Sequence, residues 1–309
     1  MTRSALPALL LLVSLPGSSP AVSAANIAVV MSANVDAYGD AVRGFRESQH
    51  HRIVAEYDME GDVDRGRKIV AEVQSKVKPD LILAVGIWAL QAAAPHATSV
   101  PVVYAMVLNP PSIVGAEPKN ITGASMNVPV EQTIRLFKQL GPQVRRIGAV
   151  YDRAKTGYLV RRAEAVARDE GLQLITKEIR SAKEAIPALD FLQESRIDAL
   201  WILPDETNLA PAVVQQMLLL SYRKKVPLLG LSENQAQMGA LLSLSFASSE
   251  DIGRQAGELA NSILAGKTPA EIPYTTARRV NLTVNLKTAQ KLGMEIPQSI
   301  LGMASNIIQ

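Results

Sequence analysis

Residues 197–209 read Ile-Asp-Ala-Leu-Trp-Ile-Leu-Pro-Asp-Glu-Thr-Asn-Leu, and this stretch decides the fold that the sequence predicts. Its apolar run, residues 199–203, stops at Pro204 and leads into the polar loop 205–208. A run that is too short for a helix and is ended by a proline is typical of a strand buried on both faces of a sheet. Open parallel sheets carry their ligand sites at the carboxyl ends of their strands. The loop after Leu203 is therefore predicted to be part of a binding site.

A second unit of the same plan lies earlier in the chain. Residues 81–85 form another short apolar run, and Gly86-Ile87-Trp88 follows it as the turn into an alanine-rich helix. Two such units indicate two α/β lobes, each resembling a Rossmann fold, whose strand ends face each other across a cleft. We expect the function to lie in that cleft.

Strands and helices alternate throughout both units, which predicts parallel sheets covered by helices on both faces. The predicted strands of the first unit are residues 26–31, 51–57, 81–85 and 100–107. Those of the second unit are residues 146–151, 172–179, 199–203 and 226–231. The stretch 109–123, rich in Pro, Gly and Asn, is predicted to be the first crossing between the lobes.

Late elements are predicted to return to the two lobes. Strands at 241–245 and 280–286, with a helix that ends before Gly266, follow two complete units, so crossover strands would form a hinge. The predicted first lobe comprises residues 26–122 plus about 246–276. The predicted second lobe comprises residues 123–245 plus about 277–309.

Composition restricts the class of protein. The 309 residues are enough for two domains with a core each, and 48% hydrophobic with 20% charged residues is the composition of a globular protein. The formal net charge is +3, and the basic residues are scattered among acidic ones. This distribution gives no support to nucleic acid binding.

Residues 1–25 have the pattern of a secretory signal peptide. Arg3 precedes an apolar run at 5–15, and small residues lead to Ala24 and Ala25, after either of which cleavage is expected. The alternative, an N-terminal membrane anchor, needs an apolar run of about 20 residues. The chain contains no cysteine, which excludes disulfides and a lipid-modified N-terminal cysteine. We therefore expect a soluble periplasmic protein with no lipid anchor.

Signatures of catalysis and of metal binding are weak. The three histidines are not accompanied by cysteines, and none of them forms a metal-binding cluster with the others. The segment Gly230-Leu-Ser-Glu-Asn234 resembles a nucleophile elbow, but it has Asn in place of the last glycine and no histidine follows it. Adjacent residues on an extended segment point apart, so Asp205 and Glu206 suit ligand contacts better than acid–base chemistry. We expect no catalytic residues, no metal and no cofactor.

From residue 100 to residue 300 the chain resembles the substrate-binding proteins of bacterial ABC importers, in the tryptophan-type branch of the type I periplasmic-binding-protein fold. The stretches that carry the resemblance are Val102-Val-Tyr-Ala-Met, Asn120-Ile-Thr-Gly, Arg146-Ile-Gly-Ala-Val-Tyr-Asp, Asp198-Ala-Leu-Trp-Ile-Leu-Pro-Asp, Gly239-Ala-Leu, Asp251-Ile-Gly-Arg-Gln-Ala-Gly, Val284-Asn-Leu-Lys-Thr-Ala and Ile296-Pro-Gln-Ser. The resemblance implies a monomer whose two lobes close on a small ligand and deliver it to a membrane permease with a cytoplasmic ATPase.

The family's ligand contacts come from loops that follow the strands. Carried onto this chain, they fall at Ser32, Asn34, Gly86, Ile87, Trp88, Met106, Tyr151, Thr156, Gly157, Asp205, Glu206, Thr207, Ser232, Glu233 and Asn234. Tyr38 is added because it lies close to a strand end. Many members have Gly-Thr-Pro where this chain has Gly86-Ile-Trp, so a hydroxyl that could hold a ligand carboxylate is replaced by apolar side chains. An acidic pair common in the family is replaced by Ser232-Glu-Asn. For these reasons, the aromatic amino acid ligand of the family is not carried over to this chain.

Individual residues allow two interpretations each. Trp88 either stacks on a ligand or packs against a neighbouring strand, whereas Trp201, inside a strand, is expected in the core. Asp205 either accepts a hydrogen bond from a ligand or caps a helix. Backbone N–H groups at the helix starts after Ser32, Gly86 and Thr156 could together hold a carboxylate.

The preferred hypothesis is a solute-binding protein that does no chemistry on its ligand. Ligand contacts made to both lobes only in the closed form would shift the population toward closure. Two alternatives stay open: a sensory module that presents ligand to a membrane receptor kinase, and an exported hydrolase that uses Asp205 and Glu206.

Overall fold

The computed structural model describes residues 24–115 and 118–309. The predicted signal peptide, residues 1–25, lies outside the described residues except for its last two. Within the described ranges, no helix combines the length and the apolar character needed to cross a membrane.

The first lobe is a five-stranded parallel sheet in the order β2-β1-β3-β4-β5. Its strands are β1 (Asn26–Met31), β2 (Arg52–Asp58), β3 (Leu81–Val85), β4 (Val102–Val107) and β5 (Ile121–Ser125). Its helices are α1 (Asp36–Ser48), α2 (Val63–Glu72), α3 (Ile87–Ala93) and α4 (Pro111–Val114). The predicted N-cap Asp62 accepts hydrogen bonds from the backbone N–H groups of Asp64 and Arg65, as the sequence predicts.

The second lobe is a seven-stranded sheet in the order β12-β11-β10-β9-β8-β6-β7. Its strands are β6 (Arg146–Tyr151), β7 (Gln173–Glu178), β8 (Ala199–Trp201), β9 (Leu228–Gly230), β10 (Leu242–Phe246), β11 (Val280–Asn285) and β12 (Asn306–Ile308). The helices that follow α4 along the chain are α5 (Val130–Gln139), α6 (Arg153–Asp169), α7 (Ala185–Glu194), α8 (Glu206–Leu209), α9 (Pro211–Lys224), α10 (Glu233–Met238), α11 (Ser249–Leu264), α12 (Leu286–Leu292) and α13 (Gln298–Met303). The pairing of β10 with β11 is antiparallel, and the other described pairings are parallel.

Each sheet has a buried apolar cluster on both faces, so the prediction of two α/β lobes with parallel sheets is confirmed. Helix α11 lies on the first lobe, where Ile252, Ala256 and Ala260 share a core with Val42 and Phe45 of α1. The division of the chain into lobes at particular residues stays a prediction.

The prediction that residues 109–123 form a crossing is wrong. This stretch contains α4 and the start of β5, which pairs with β4 from Ile121 onward. Gly123 suggested a loop, but a Cβ there would lie 2.3 Å from the carbonyl oxygen of Tyr104. The glycine therefore permits the backbone of β5 to approach its neighbouring strand closely, and the first crossing follows Ser125.

Three chain segments cross between the lobes side by side, at residues 126–129, 247–248 and 273–279. The backbone N–H of Ser125 donates to Thr275 at 2.9 Å, and that of Ala277 donates to Asn127 at 2.9 Å. The backbone N–H of Ala247 donates to Arg279, also at 2.9 Å. We call these hydrogen-bonded segments the hinge ladder.

Close backbone contact between α1 and α11 generates a first prediction. A Cβ on Gly253 would lie 1.8 Å from the carbonyl oxygen of Ala41, whereas a Cβ on Gly302 in α13 would meet nothing within 4 Å. Gly253→Ala is therefore expected to lower the free energy of unfolding by about 1–3 kcal/mol, because the two helices must separate. Gly302→Ala, the matched control, should leave it unchanged or raise it by up to about 1 kcal/mol. Urea denaturation measures both, and equal effects of the two substitutions would contradict the described packing.

Candidate functional site

The carboxyl ends of strands from both sheets meet at a cleft between the lobes. A cavity of about 680 Å³ lies there. The first lobe contributes Ile87 after β3 and Asn109 after β4, and the second lobe contributes Lys155 near the start of α6 with Asp205 and Glu206 after β8. We call this cavity the inter-lobe cleft. Its position agrees with the edge at which open parallel sheets bind ligands.

Asn109 joins the two lobes beside this cleft. It is 3% exposed and has a positive φ of 53°, a conformation that asparagine adopts more readily than most residues. Its side chain donates to the carbonyl oxygen of Lys155 at 3.1 Å and accepts from the Tyr158 hydroxyl at 2.7 Å. Its backbone N–H donates to Oδ1 of Asn127 at 2.9 Å. Burial raises the pKa of Tyr158, so its hydroxyl stays protonated and available as a donor.

Asp205 caps α8, one of the two roles that its sequence position allowed. Oδ1 accepts from the backbone N–H of Asn208 at 2.8 Å. Oδ2 accepts from the Thr156 hydroxyl and from the Asn208 side-chain amide, both at 2.8 Å. The carboxylate is 3% exposed and links α6 to the loop after β8. Its role as a ligand acceptor stays a prediction.

Charged groups of both signs face the cleft next to Asp205. Nζ of Lys155 lies 3.3 Å from a carboxylate oxygen of Glu206 and 3.4 Å from the hydroxyl of Thr207. Glu206 is exposed, whereas Thr207 is buried. Sequence reasoning named Thr156 and Gly157 but missed Lys155, although the lysine lies in the same strand-to-helix segment.

Ser32, Tyr38 and Gly86 form a group in the first lobe. The Ser32 hydroxyl donates to the carbonyl oxygen of Val85 at 3.0 Å and accepts from the backbone N–H of Ala89 at 2.9 Å. A Cβ on Gly86, whose φ is 90°, would lie 2.6 Å from the Ser32 hydroxyl and 2.7 Å from that of Tyr38. The group orients the turn into α3, from which Ile87 reaches the cleft. Burial raises the pKa of Tyr38.

The remaining predicted residues lie in varied surroundings. Trp88 contacts Gly61, whose added Cβ would lie 3.2 Å from the indole ring, and it is 42% exposed. Met106 is buried and has a positive φ of 57°. Tyr151 is partly buried and packs against an apolar cluster of the second lobe. Asn34 is exposed after β1, and Gly157 is buried in α6. In the loop after β9, Ser232 caps α10, the Glu233 carboxylate accepts a hydrogen bond from the Asn306 side chain, and Asn234 is exposed. Which of these touch a ligand stays a prediction.

A smaller cavity of about 120 Å³ adjoins the cleft, and sequence reasoning did not identify it. It lies between the first crossing segment and the carboxyl ends of β8, β9 and β10. Its wall includes Met126, Trp201, Leu229, Leu231 and Leu244, and no charged side chain lines it. We call it the apolar cavity.

Among the described residues, no three His, Asp or Glu side chains lie close enough together to hold a metal ion. The described residues that face the cleft therefore offer hydrogen bonds, charges and apolar contacts to a ligand.

Comparisons with known proteins agree with this geometry. The family described as "ABC transporter substrate binding protein" matches residues 26–308. The tyrosine-binding protein of Clostridioides difficile is 25% identical over 260 residues, which cover 82% of this chain and 74% of that protein. The fold of this chain is similar to that of an ABC domain in complex with L-Trp from Streptococcus pneumonia, with a TM-score of 0.62, 24% identity, and coverage of 93% of this chain and 100% of that one. A ligand-free, open substrate binding protein from Clostridium difficile gives a TM-score of 0.67 at 22% identity, covering 92% and 99%.

Asp205 leads to a prediction about stability. Asp205→Ala removes a helix cap and leaves buried donors of Asn208, its backbone N–H and one side-chain N–H, without their acceptor, so we expect the free energy of unfolding to fall by about 3 kcal/mol. Glu206→Ala, which removes an exposed carboxylate, should cost less than about 1 kcal/mol. Chemical denaturation of the two variants tests the difference. A small loss for Asp205→Ala would show that its carboxylate is free for other partners.

Tyr158 allows a test of the junction between the lobes. Tyr158→Phe removes the hydroxyl that donates to Asn109 and accepts a longer hydrogen bond from the Asn127 side chain, which is expected to weaken the contact between the lobes by about 1 kcal/mol. The ratio of open to closed molecules should then rise about fivefold. Small-angle X-ray scattering of the ligand-free protein would report this as a larger radius of gyration. Tyr222→Phe, at a 59% exposed position, is the matched control and should leave the radius unchanged.

Proposed function

Because this chain belongs to the family of ABC transporter substrate binding proteins, we propose that it captures a small organic ligand between its lobes outside the cytoplasm and delivers it to an ABC importer. The observation that carries the proposal is the inter-lobe cleft, to which both lobes contribute side chains. The predicted signal peptide supports a periplasmic location, and the permease with its cytoplasmic ATPase is the proposed partner.

Closure of the lobes on the ligand is the proposed mechanism. The hinge ladder connects the lobes through short segments, so a small change of backbone angles there moves one lobe relative to the other. A ligand that touches Ile87 from one lobe and Glu206 from the other gains both contacts only when the lobes approach. Ligand binding would then shift the population toward the closed form, which a permease could distinguish from the open one.

Binding without chemical change is the proposed outcome for the ligand. The hydrolase alternative needs Asp205 and Glu206 to act as a pair of acids, but Asp205 already accepts three hydrogen bonds from its own lobe. Glu206 is exposed and lies beside Lys155. These contacts support a role for Asp205 in holding the loop in place and a role for Glu206, with Lys155, as a charged surface for a ligand.

Amino acids are the first ligand class to test. The relative named a tyrosine-binding protein supports this choice, and Lys155 with Glu206 places opposite charges beside the cleft, as a zwitterion would require. Ile87 and Trp88 replace a hydroxyl-bearing motif common in the family, so the ligand of this chain need not be tyrosine.

Isothermal titration of the chain from Asn26 onward against the standard amino acids, short peptides and organic acids tests the proposal. A ligand at a hundred times its dissociation constant should stabilise the protein by about 2.7 kcal/mol, which a thermal melt confirms. Mass spectrometry should recover the ligand unchanged. A compound consumed over time would favour the hydrolase, and binding without stimulation of the permease's ATPase would favour the sensory module.

Variants in opposite lobes test whether the ligand bridges the cleft. Ile87→Ala in the first lobe and Glu206→Gln in the second should each weaken binding about 5- to 50-fold, through lost apolar area or a lost charged hydrogen bond. Ile186→Ala and Glu194→Gln make the same changes at exposed positions on α7 and should leave the affinity unchanged. An effect confined to one lobe would contradict closure around the ligand.

A further inference from the structure

We infer that the apolar cavity receives the apolar end of the ligand and limits that end to about the size of a phenyl ring. The inference deepens the proposed function and rests on it. It assigns a ligand subsite to residues at the ends of β8, β9 and β10 and at the first crossing segment, none of which is among the predicted contacts.

The apolar cavity lies directly beside the inter-lobe cleft. Leu108, which follows β4 in the first lobe, and Pro204, which follows β8 in the second, line both the inter-lobe cleft and the apolar cavity. The two spaces are therefore neighbours with a shared wall from each lobe. A ligand held by Lys155 and Glu206 in the cleft lies next to the apolar cavity.

Two of the polar side chains in the cavity wall, those of Asn127 and Thr133, already have partners in the protein, and Ser245 adds one further hydroxyl. Asn127 accepts from the backbone N–H of Asn109 at 2.9 Å and donates to the Tyr158 hydroxyl at 3.4 Å. The Thr133 hydroxyl donates to the carbonyl oxygen of Pro129 at 3.4 Å. A polar group of the ligand would lose its hydrogen bonds to water there without replacing them, which strongly disfavours its entry. An apolar group loses nothing and is removed from water.

The size of the cavity sets an upper limit on that group. Its volume is about 120 Å³. An apolar cavity of about 150 Å³ lined by Leu, Ile and Phe holds one benzene molecule. The cavity here is somewhat smaller, so it matches a branched aliphatic chain or at most a phenyl ring, whereas an indole exceeds the space. Together with the charges in the cleft, this defines the ligand class as a small charged or zwitterionic molecule with one compact apolar group.

A series of ligands with one head group measures the size limit. Titration of L-alanine, L-valine, L-leucine, L-phenylalanine and L-tryptophan should give an affinity that rises about fourfold for each methylene buried. The affinity should be highest at leucine or phenylalanine and about tenfold lower at tryptophan.

A substitution that partly fills the apolar cavity tests the same size limit from the side of the protein. Leu231 lines the cavity at its edge and is half-buried, so Leu231→Phe reduces the space without a change in the centre of the core. We expect it to weaken leucine and phenylalanine binding at least tenfold and to leave alanine binding unchanged. Leu219→Phe, the same substitution at a 36% exposed position on α9, is the control and should change none of these affinities.

Benzene tests the cavity without any head group. Trp201 lines the cavity, and the chain has two tryptophans, so a Trp88→Phe background makes Trp201 the sole tryptophan, whose fluorescence is excited selectively over that of the tyrosines. Benzene should produce a saturable change in its fluorescence that Leu231→Phe abolishes and Leu219→Phe preserves.

The outcomes separate this inference from the proposed function. A flat affinity series, or equal effects of Leu231→Phe and Leu219→Phe, would overturn the inference and leave the transport proposal in place. If none of the amino acids binds, the proposed head group is wrong and the benzene measurement decides. Saturable benzene binding that depends on Leu231 would then support the subsite, and its absence would overturn it.

Discussion

The hinge ladder is the constraint on which the rest of the structure depends. Backbone hydrogen bonds from Ser125 to Thr275 and from Ala277 to Asn127 hold the crossing segments side by side. Since all strands of the first sheet are parallel, their carboxyl ends share one edge, and the ladder turns that edge toward the matching edge of the second sheet. The cleft follows from this arrangement and needs no special residue to create it. Side chains at the strand ends then decide what the cleft holds.

Polar residues at strand ends have two uses, and the structure separates them. Asp205 and Ser232 accept hydrogen bonds from backbone N–H groups at the starts of the helices that follow them, which is the usual task of such residues at an N-terminus. Ser32 accepts from the backbone N–H of Ala89 in α3, the helix that follows the neighbouring strand β3. The same residue types at the same positions would also suit ligand contacts, so the sequence alone offers both interpretations. Glu206 differs because it lines the cleft and has no capping role, whereas Asp205 lines the cleft and also caps α8.

Sequence patterns predicted the architecture well because most helices and strands have a signature in their own residues. Short apolar runs marked β1, β3 and β6, and Asp62 marked the start of α2. The errors arose where a distant part of the chain decides the outcome. Gly123 signals a loop by its type, yet it belongs to β5, where it pairs with Tyr104 of β4 and has no room for a side chain. The importance of Lys155 and Asn109 likewise depends on a contact between lobes, which no local pattern encodes.

Division of the site into two spaces has a physical consequence for selectivity. Charged groups at the cleft are partly exposed, so water screens them and their contribution discriminates little between ligands with the same head group. The apolar cavity is walled by buried side chains such as Leu229 and Trp201, whose positions are fixed by the strands that carry them. A ligand that is one ring too large must displace those strands, whereas one that is too small leaves apolar surface unfilled. Selectivity among ligands therefore depends on the rigid sheet, and the hinge contributes mainly to the closure that retains them.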